Sequence, residues 1–204
     1  MPYITNEVRD KFDREIEKLA THLVDTIKKK PGIGKYVFFC FLTVLFKELD
    51  DRIVLYEEAM RYRHFNHLHG AFDCAGKELW RRWGDHKNIR PKFLNWKNTQ
   101  RMTERAVNDA DIRVMCMLVL DIVTRYETNM DQCVGEVNYT ISEVANMLAN
   151  TGRASHQDLV NMVFCAANYI YFTRTGPYED AAIKKNGDTA GFQLFVEAHT
   201  PTAN

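Results

Sequence analysis

Apolar residues recur along this chain at steps of three or four residues, which is the spacing of one face of an α-helix. The clearest series follows Thr5 and Asn6, two residue types suited to capping a helix, and consists of Val8, Phe12, Ile16, Leu19, Leu23 and Ile27. No stretch shows the sustained apolar and polar alternation, bounded by hairpin turns, that indicates strands. The sequence therefore predicts an all-α fold. Further helices are expected over about 36–49, 53–83 (one helix, or two divided near Gly70 or Gly76), 112–126, 139–150 and 156–173.

The two halves of the chain resemble each other. PGIGKYVFFCFLTVLF, from Pro31, aligns with VGEVNYTISEVANMLA, from Val134, and the segment around Cys74 aligns with the one around Cys165. The offset changes between these two alignments, which places about 12 extra residues in the first copy, at DDRIVLYEEAMR. A tandem duplication predicts two similar helical units packed as an intramolecular pseudo-dimer; the alternative is chance similarity of apolar helices. The predicted organisation is a first repeat over 1–83, a basic, Trp-containing linker over 84–100 and a second repeat over 101–204.

Composition excludes functions that depend on global charge. The chain has 27 basic and 27 acidic residues, so any charge-driven function is local. Its five cysteines are odd in number and several lie in apolar stretches, which favours a reducing compartment over a disulfide framework. The longest apolar run, 36–46, is shorter than the roughly 18 residues of a membrane span, and the amino end does not read as a signal peptide. We therefore expect a cytoplasmic protein with no membrane partner.

Several motifs resemble those of a family of small, functionally uncharacterised all-α proteins associated with phages and prokaryotes. The chain carries MPYI at its start, the pair Phe12 and Asp13, GEVNYTI from Gly135, GAFDCAGKELWRR from Gly70 and GPYEDAAIKKNGD from Gly176. The resemblance implies a helical fold and a phage or prokaryotic origin, with the host cytoplasm as the location if the protein is viral. It implies no established activity.

The two copies keep different parts of this family pattern. The first keeps the charged helix around Glu78, whereas the second keeps the ending from Tyr178 to Asp188. This division suggests one composite site across the pseudo-dimer interface. The alternative is that both motifs are structural, with PYED capping a helix and NGD forming a turn. The residues assigned to the composite site are Glu78, Arg81, Arg82, Tyr178, Glu179, Asp180, Lys184, Asn186 and Asp188.

The strongest local charge lies between Lys77 and Arg105. This segment has nine basic and three acidic residues, and it holds all three tryptophans of the chain. Basic groups neutralise phosphates and aromatic faces stack on bases, so the mixture is typical of a nucleotide or single-stranded nucleic-acid binder. A solvated linker whose tryptophans pack on the core, or a protein-binding surface, fits the same segment. The further ligand-binding candidates in this segment are Trp83, Arg90, Lys92 and Trp96.

Other chemistries have weaker sequence support. His69 and Asp73, four residues apart on one helix face, are weak candidates for half of a metal site, and no metal is predicted. An all-α nucleotide pyrophosphohydrolase would hold magnesium with paired carboxylates on facing helices, but no clear ExxE pair occurs. The carboxylates that could serve it are Glu58, Asp73, Glu78, Glu179 and Asp180.

Together these features predict a phage-type intracellular binding protein rather than an enzyme, with no cofactor. The expected partner is an anionic small molecule, such as a nucleotide, or a single-stranded nucleic acid, and its binding would interfere with a host process. Two alternatives stay open: a structural or assembly protein that acts through protein contacts, including oligomer formation, and the metal-dependent hydrolase.

Overall fold

The computed structural model describes residues 34–87, 130–152 and 154–186, together with single positions between 14 and 25 and between 119 and 124. These residues are almost entirely helical and contain no strand, which confirms the all-α fold. The elements are α1 (Gly34–Ile53), α2 (Glu58–Lys87), α3 (Met130–Asn150), α4 (His156–Ile170), a π-helical turn (Tyr171–Thr175) and α5 (Gly176–Asn186).

The helix ends follow local sequence signals. Ser155 caps α4, since its hydroxyl accepts a hydrogen bond of 3.0 Å from the backbone N–H of Asp158. Gly152 ends α3 with a φ of 66°, a left-handed conformation that glycine adopts without a steric penalty. Gly152 and Ser155 thus mark the end of α3 and the start of α4.

The core forms around α2, which packs mainly against α3 and α4, while α1 packs on α4. The apolar run in α1 is buried around most of the helix, and Phe38, Phe39 and Phe41 are fully enclosed. Gly76 lets α2 approach α4 closely, because a Cβ at this position would lie 3.0 Å from the Phe164 ring. Among the described helices, those of the two predicted repeats pack mainly on each other. A fused dimer would pack in this way, and the two-fold relation between the repeats stays a prediction.

Helix boundaries differ from expectation at several places. Helix α1 continues to Ile53, the residue at which the next helix was expected to begin, and α2 begins only at Glu58. The segment expected as one helix or two is a single helix, α2, which continues through Gly70 and Gly76 and extends to Lys87, into the predicted linker. Helix α3 begins at Met130, nine residues earlier than expected, and passes through Gly135. Interior glycines cost about 1 kcal/mol each in a helix, and packing of the apolar face offsets this cost. The domain boundaries themselves stay a prediction, since 88–118 lies outside the described residues.

The structure describes part of what the sequence predicts for the first helix, the cysteines and membrane spans. The described positions of the first predicted helix, such as Arg14, Glu17 and Lys18, are helical and exposed, opposite the predicted apolar seam. Cys40, Cys74 and Cys165 are free thiols. Within the described residues, no helix combines the length and the apolar character needed to cross a membrane.

Candidate functional site

The C-terminal end of α2 presents one exposed aromatic ring. Trp80 is 47% exposed, and its indole lies against the helix backbone at Gly84, one turn further along. A Cβ at residue 84 would approach Trp80 Cδ1 to 2.7 Å, so any other amino acid there would displace the ring. Glycine at 84 therefore provides the space in which the indole of Trp80 is held.

Arg81 is the next residue of the helix, and 73% of its side chain is exposed. Its Nε and Nη2 atoms donate hydrogen bonds of 3.0 and 2.9 Å to the two carboxylate oxygens of Glu78. The pair orients the guanidinium while leaving most of it in contact with solvent. Trp80 and Arg81 thus form an exposed aromatic and cationic pair, which we call the Trp80 platform.

Arg82 has a different role, because it is half-buried between helices. Its Nε donates to Glu78 at 2.8 Å, and its Nη1 donates to Glu143 of α3 at 2.9 Å. Hydrogen bonds from Arg81, and to a lesser extent Arg82, lower the pKa of Glu78 below its ordinary value. Arg82 therefore joins α2 to α3 and holds Glu78 in its charged form.

Trp83, a predicted binding residue, belongs to the core. It is 8% exposed, and its ring meets the His156 ring of α4 edge to face, with centroids 4.5 Å apart. The exposed tryptophan at this end of α2 is Trp80, which the sequence interpretation did not place among the binding residues. The glycine four positions after Trp80 could have indicated this residue, because residues i and i+4 are neighbours on a helix and a glycine leaves space for a large ring.

A second polar cluster lies where α5 meets α2. The Glu179 carboxylate accepts hydrogen bonds of 3.1 Å from the hydroxyls of both Tyr62 and Tyr171, and the rings of Tyr62 and Tyr178 stack with centroids 4.1 Å apart. Burial and the bond to Glu179 raise the pKa of Tyr62, and the bond to Glu179 raises the pKa of Tyr171. Asp180 is exposed. Glu179 and Tyr178 therefore fasten α5 to α2.

The two clusters lie far apart on α2. Tyr62, which binds Glu179, and Glu78 are sixteen residues apart, which corresponds to about 24 Å along a helix axis and nearly opposite faces. Within the described residues, the charged end of α2 and the PYED segment are not brought into one site. The structure does not describe the other predicted binding residues. Arg90, Lys92, Trp96 and Asp188 lie outside the described residues, as do the side chains of Lys184 and Asn186 on α5.

The weak metal candidates are engaged elsewhere. His69 lies against the Tyr171 ring, with centroids 5.4 Å apart, and burial lowers its pKa. Asp73 forms an ion pair with Lys77. Across the part of the chain that the structure describes, no group of three or more His, Cys, Asp or Glu side chains could hold a metal ion.

Comparison with known proteins gives one family match. Residues 1–87 match the family described as "Domain of unknown function (DUF6899)". No curated protein and no solved structure matches the chain. The matched region contains α1, α2 and the Trp80 platform, whereas α5 lies outside it. The family description states no activity, so the role of each residue depends on the geometry alone.

Proposed function

We propose that this protein binds a nucleotide or a single-stranded nucleic acid at the C-terminal end of α2, and that it is a binding protein rather than an enzyme. The observation that supports this proposal is the Trp80 platform, in which an exposed indole held on Gly84 is followed in the helix by an arginine whose side chain is largely exposed. A base can stack on the indole while Arg81 neutralises a phosphate.

The surrounding charge supports the same partner. Arg82 is engaged with Glu78 and Glu143, so of the two described arginines at this end Arg81 is the one whose guanidinium is more accessible to a ligand. The chain continues from α2 into a segment that is strongly basic in sequence, up to Arg105. Such a segment would follow the phosphate backbone of a strand beyond the platform. If the protein is of phage origin, capture of a host nucleotide or strand would be its means of interference.

Fluorescence anisotropy with a short, labelled oligothymidylate tests the proposal. We expect saturable binding that weakens as salt is raised from about 50 to 200 mM, because phosphate contacts release counterions. Trp80→Ala should weaken binding by about 1–3 kcal/mol through the loss of stacking. Arg81→Ala should weaken binding and reduce the salt slope by about 1. An unlabelled mononucleotide, added as competitor, distinguishes a nucleotide site from a strand site.

Two matched variants serve as controls. Phe172→Ala removes an aromatic ring that is 71% exposed on the π-helical turn, and Lys47→Ala removes an exposed cation that is paired on its own helix, as Arg81 is. Both should bind the oligonucleotide as the wild type does. Absence of salt-dependent binding, or equal losses in Phe172→Ala and Trp80→Ala, would contradict the proposal.

A further inference from the structure

The Glu78 carboxylate already occupies one edge of the Arg81 guanidinium. Nε and Nη2 of Arg81 donate to the two carboxylate oxygens at 3.0 and 2.9 Å, so the pair is bidentate. These bonds leave the N–H groups of Nη1 and the second N–H of Nη2, which form the outer edge of the guanidinium. Because most of the side chain is exposed, this outer edge is where a phosphate can bind Arg81.

A second arginine fixes Glu78 in this position. Nε of Arg82 donates to Oε1 of Glu78 at 2.8 Å, and Nη1 of Arg82 donates to Glu143 of α3 at 2.9 Å. Glu78 is ionised at neutral pH, since the hydrogen bonds from the two arginines lower its pKa. A ligand at Arg81 therefore meets a negative charge at Glu78 that cannot turn away without breaking its bond to Arg82.

The paired charges at this end of α2 sum to zero. The described ion pairs here contain three cations and three carboxylates, namely Lys77, Arg81 and Arg82 with Asp73, Glu78 and Glu143. Sites for the terminal phosphates of nucleotides place several cations around the phosphate charge. In a balanced cluster the second negative charge of a terminal phosphate gains little further attraction, although it still loses part of its hydration. The cluster therefore suits a group with a single negative charge.

We propose that the Trp80 platform binds an internal phosphodiester of a single strand in preference to the terminal phosphate of a free nucleotide, and that Glu78 determines this preference. The inference rests on the function proposed above for the same platform. A base stacks on the indole, and the phosphodiester, with one negative charge, binds the outer edge of Arg81. Glu78 repels the second charge of a terminal phosphate. Glu78 is thus a specificity-determining residue that contacts Arg81 and not the ligand.

Two competitors that differ by one charge test this preference. Thymidine monophosphate has about two negative charges on its phosphate near neutral pH. Its methyl ester is a phosphodiester with a single negative charge and has the same base and sugar. Each compound competes with a labelled oligothymidylate in a fluorescence anisotropy assay, at constant ionic strength and without divalent cations. The ester should displace the strand from the wild type at least as well as the monophosphate does.

Glu78→Gln removes the charge and keeps an oxygen that can accept a hydrogen bond from Arg82. At a separation of about 7 Å in water, the loss of one charge changes affinity about threefold for each charge on the ligand. The variant should therefore bind the ester about threefold and the monophosphate roughly ninefold more tightly than the wild type does. The ratio of the two affinities shifts by about threefold toward the monophosphate.

Glu48→Gln is the matched control. Glu48 of α1 also pairs with an arginine four residues later, Arg52, and its side chain is 28% exposed, compared with 30% for Glu78. This variant loses the same charge from the protein, so it should keep the wild-type ratio if the effect of Glu78 is local. Circular dichroism checks that both variants keep their helical content.

The outcomes distinguish this inference from the proposed function. A strand that does not bind, or that binds equally well to Trp80→Ala, would contradict the proposed function, and the inference would fail with it. Where the strand binds and Trp80→Ala weakens binding, the proposed function stands. A wild type that prefers the monophosphate, an unchanged ratio in Glu78→Gln, or the failure of both compounds to displace the strand would then overturn the inference alone.

Discussion

Arg174 of the π-helical turn binds Asp50 of α1 through two parallel hydrogen bonds, Nε to Oδ1 at 2.5 Å and Nη2 to Oδ2 at 2.6 Å. The guanidinium carbon also lies 5.7 Å from the centre of the Phe65 ring in α2. Bidentate pairs of this kind are the stronger class of side-chain hydrogen bond. One arginine therefore holds the π-helical turn against two other helices.

Arg174→Ala should destabilise the protein by about 2 kcal/mol, because it leaves a largely buried carboxylate at Asp50 without its cation. Urea unfolding of Asp50→Ala, Arg174→Ala and the double variant measures the coupling. The double variant should lose less free energy of unfolding than the two single variants lose in sum. Strict additivity would mean that the ion pair contributes nothing to stability.

Two glycines should respond to alanine in opposite directions. A Cβ at Gly70, inside α2, meets nothing within 4 Å, so Gly70→Ala should stabilise the protein by about 1 kcal/mol through helix propensity. Gly152 also has open space, but its φ of 66° strains an alanine, so Gly152→Ala should destabilise by about 1 kcal/mol. Thermal unfolding of the two variants compares them directly. A stabilised Gly152→Ala would contradict the left-handed conformation.

The helices were predictable because their signals are local. Apolar spacing identified α1, α2, α3 and α4, and Ser155 marked the start of α4. The role of Gly76 in α2 was not predictable, since the close approach that it allows involves the Phe164 ring of another helix. The π-helical turn was not predictable either, and its Arg174 binds Asp50, a residue 124 positions earlier.

The candidate site was predicted only in part, for the same physical reason. The sequence indicated the charged end of α2, but it could not distinguish an exposed tryptophan from a buried one three residues later. Trp83 is buried because His156 lies across its edge, and Arg82 is engaged because Glu143 lies within reach. Both partners come from distant segments, so the division of neighbouring residues between core and surface follows from tertiary packing.

Tyr62→Phe should loosen α5 without unfolding the bundle. The change removes one of the two hydroxyls that bind Glu179 but keeps the ring that stacks on Tyr178. We expect a cost of about 1 kcal/mol, the net value of a typical hydrogen bond. Amide hydrogen exchange should become faster in α5 and stay unchanged in α1. Equal acceleration in both helices would show that the bond contributes to global stability and not to α5 docking.

His69 should make the protein less stable in mild acid. Burial lowers its pKa below the ordinary value near 6.5, although Asp73 and Glu179 act in the opposite direction and Lys77 assists the lowering. The unfolded chain therefore takes up the proton first, so the free energy of unfolding falls as the pH drops below about 6.5 and stops falling below the pKa of the folded state.

His69→Gln should reduce this loss, since glutamine keeps a polar side chain but does not titrate. Urea unfolding at several pH values between about 8 and 5 measures the effect. At the upper end the imidazole is neutral in both states, so the difference between variant and wild type there gives the cost of the substitution itself. Below about pH 6.5 the two curves should converge. Parallel curves over the whole range would mean that the imidazole keeps its ordinary pKa in the folded protein.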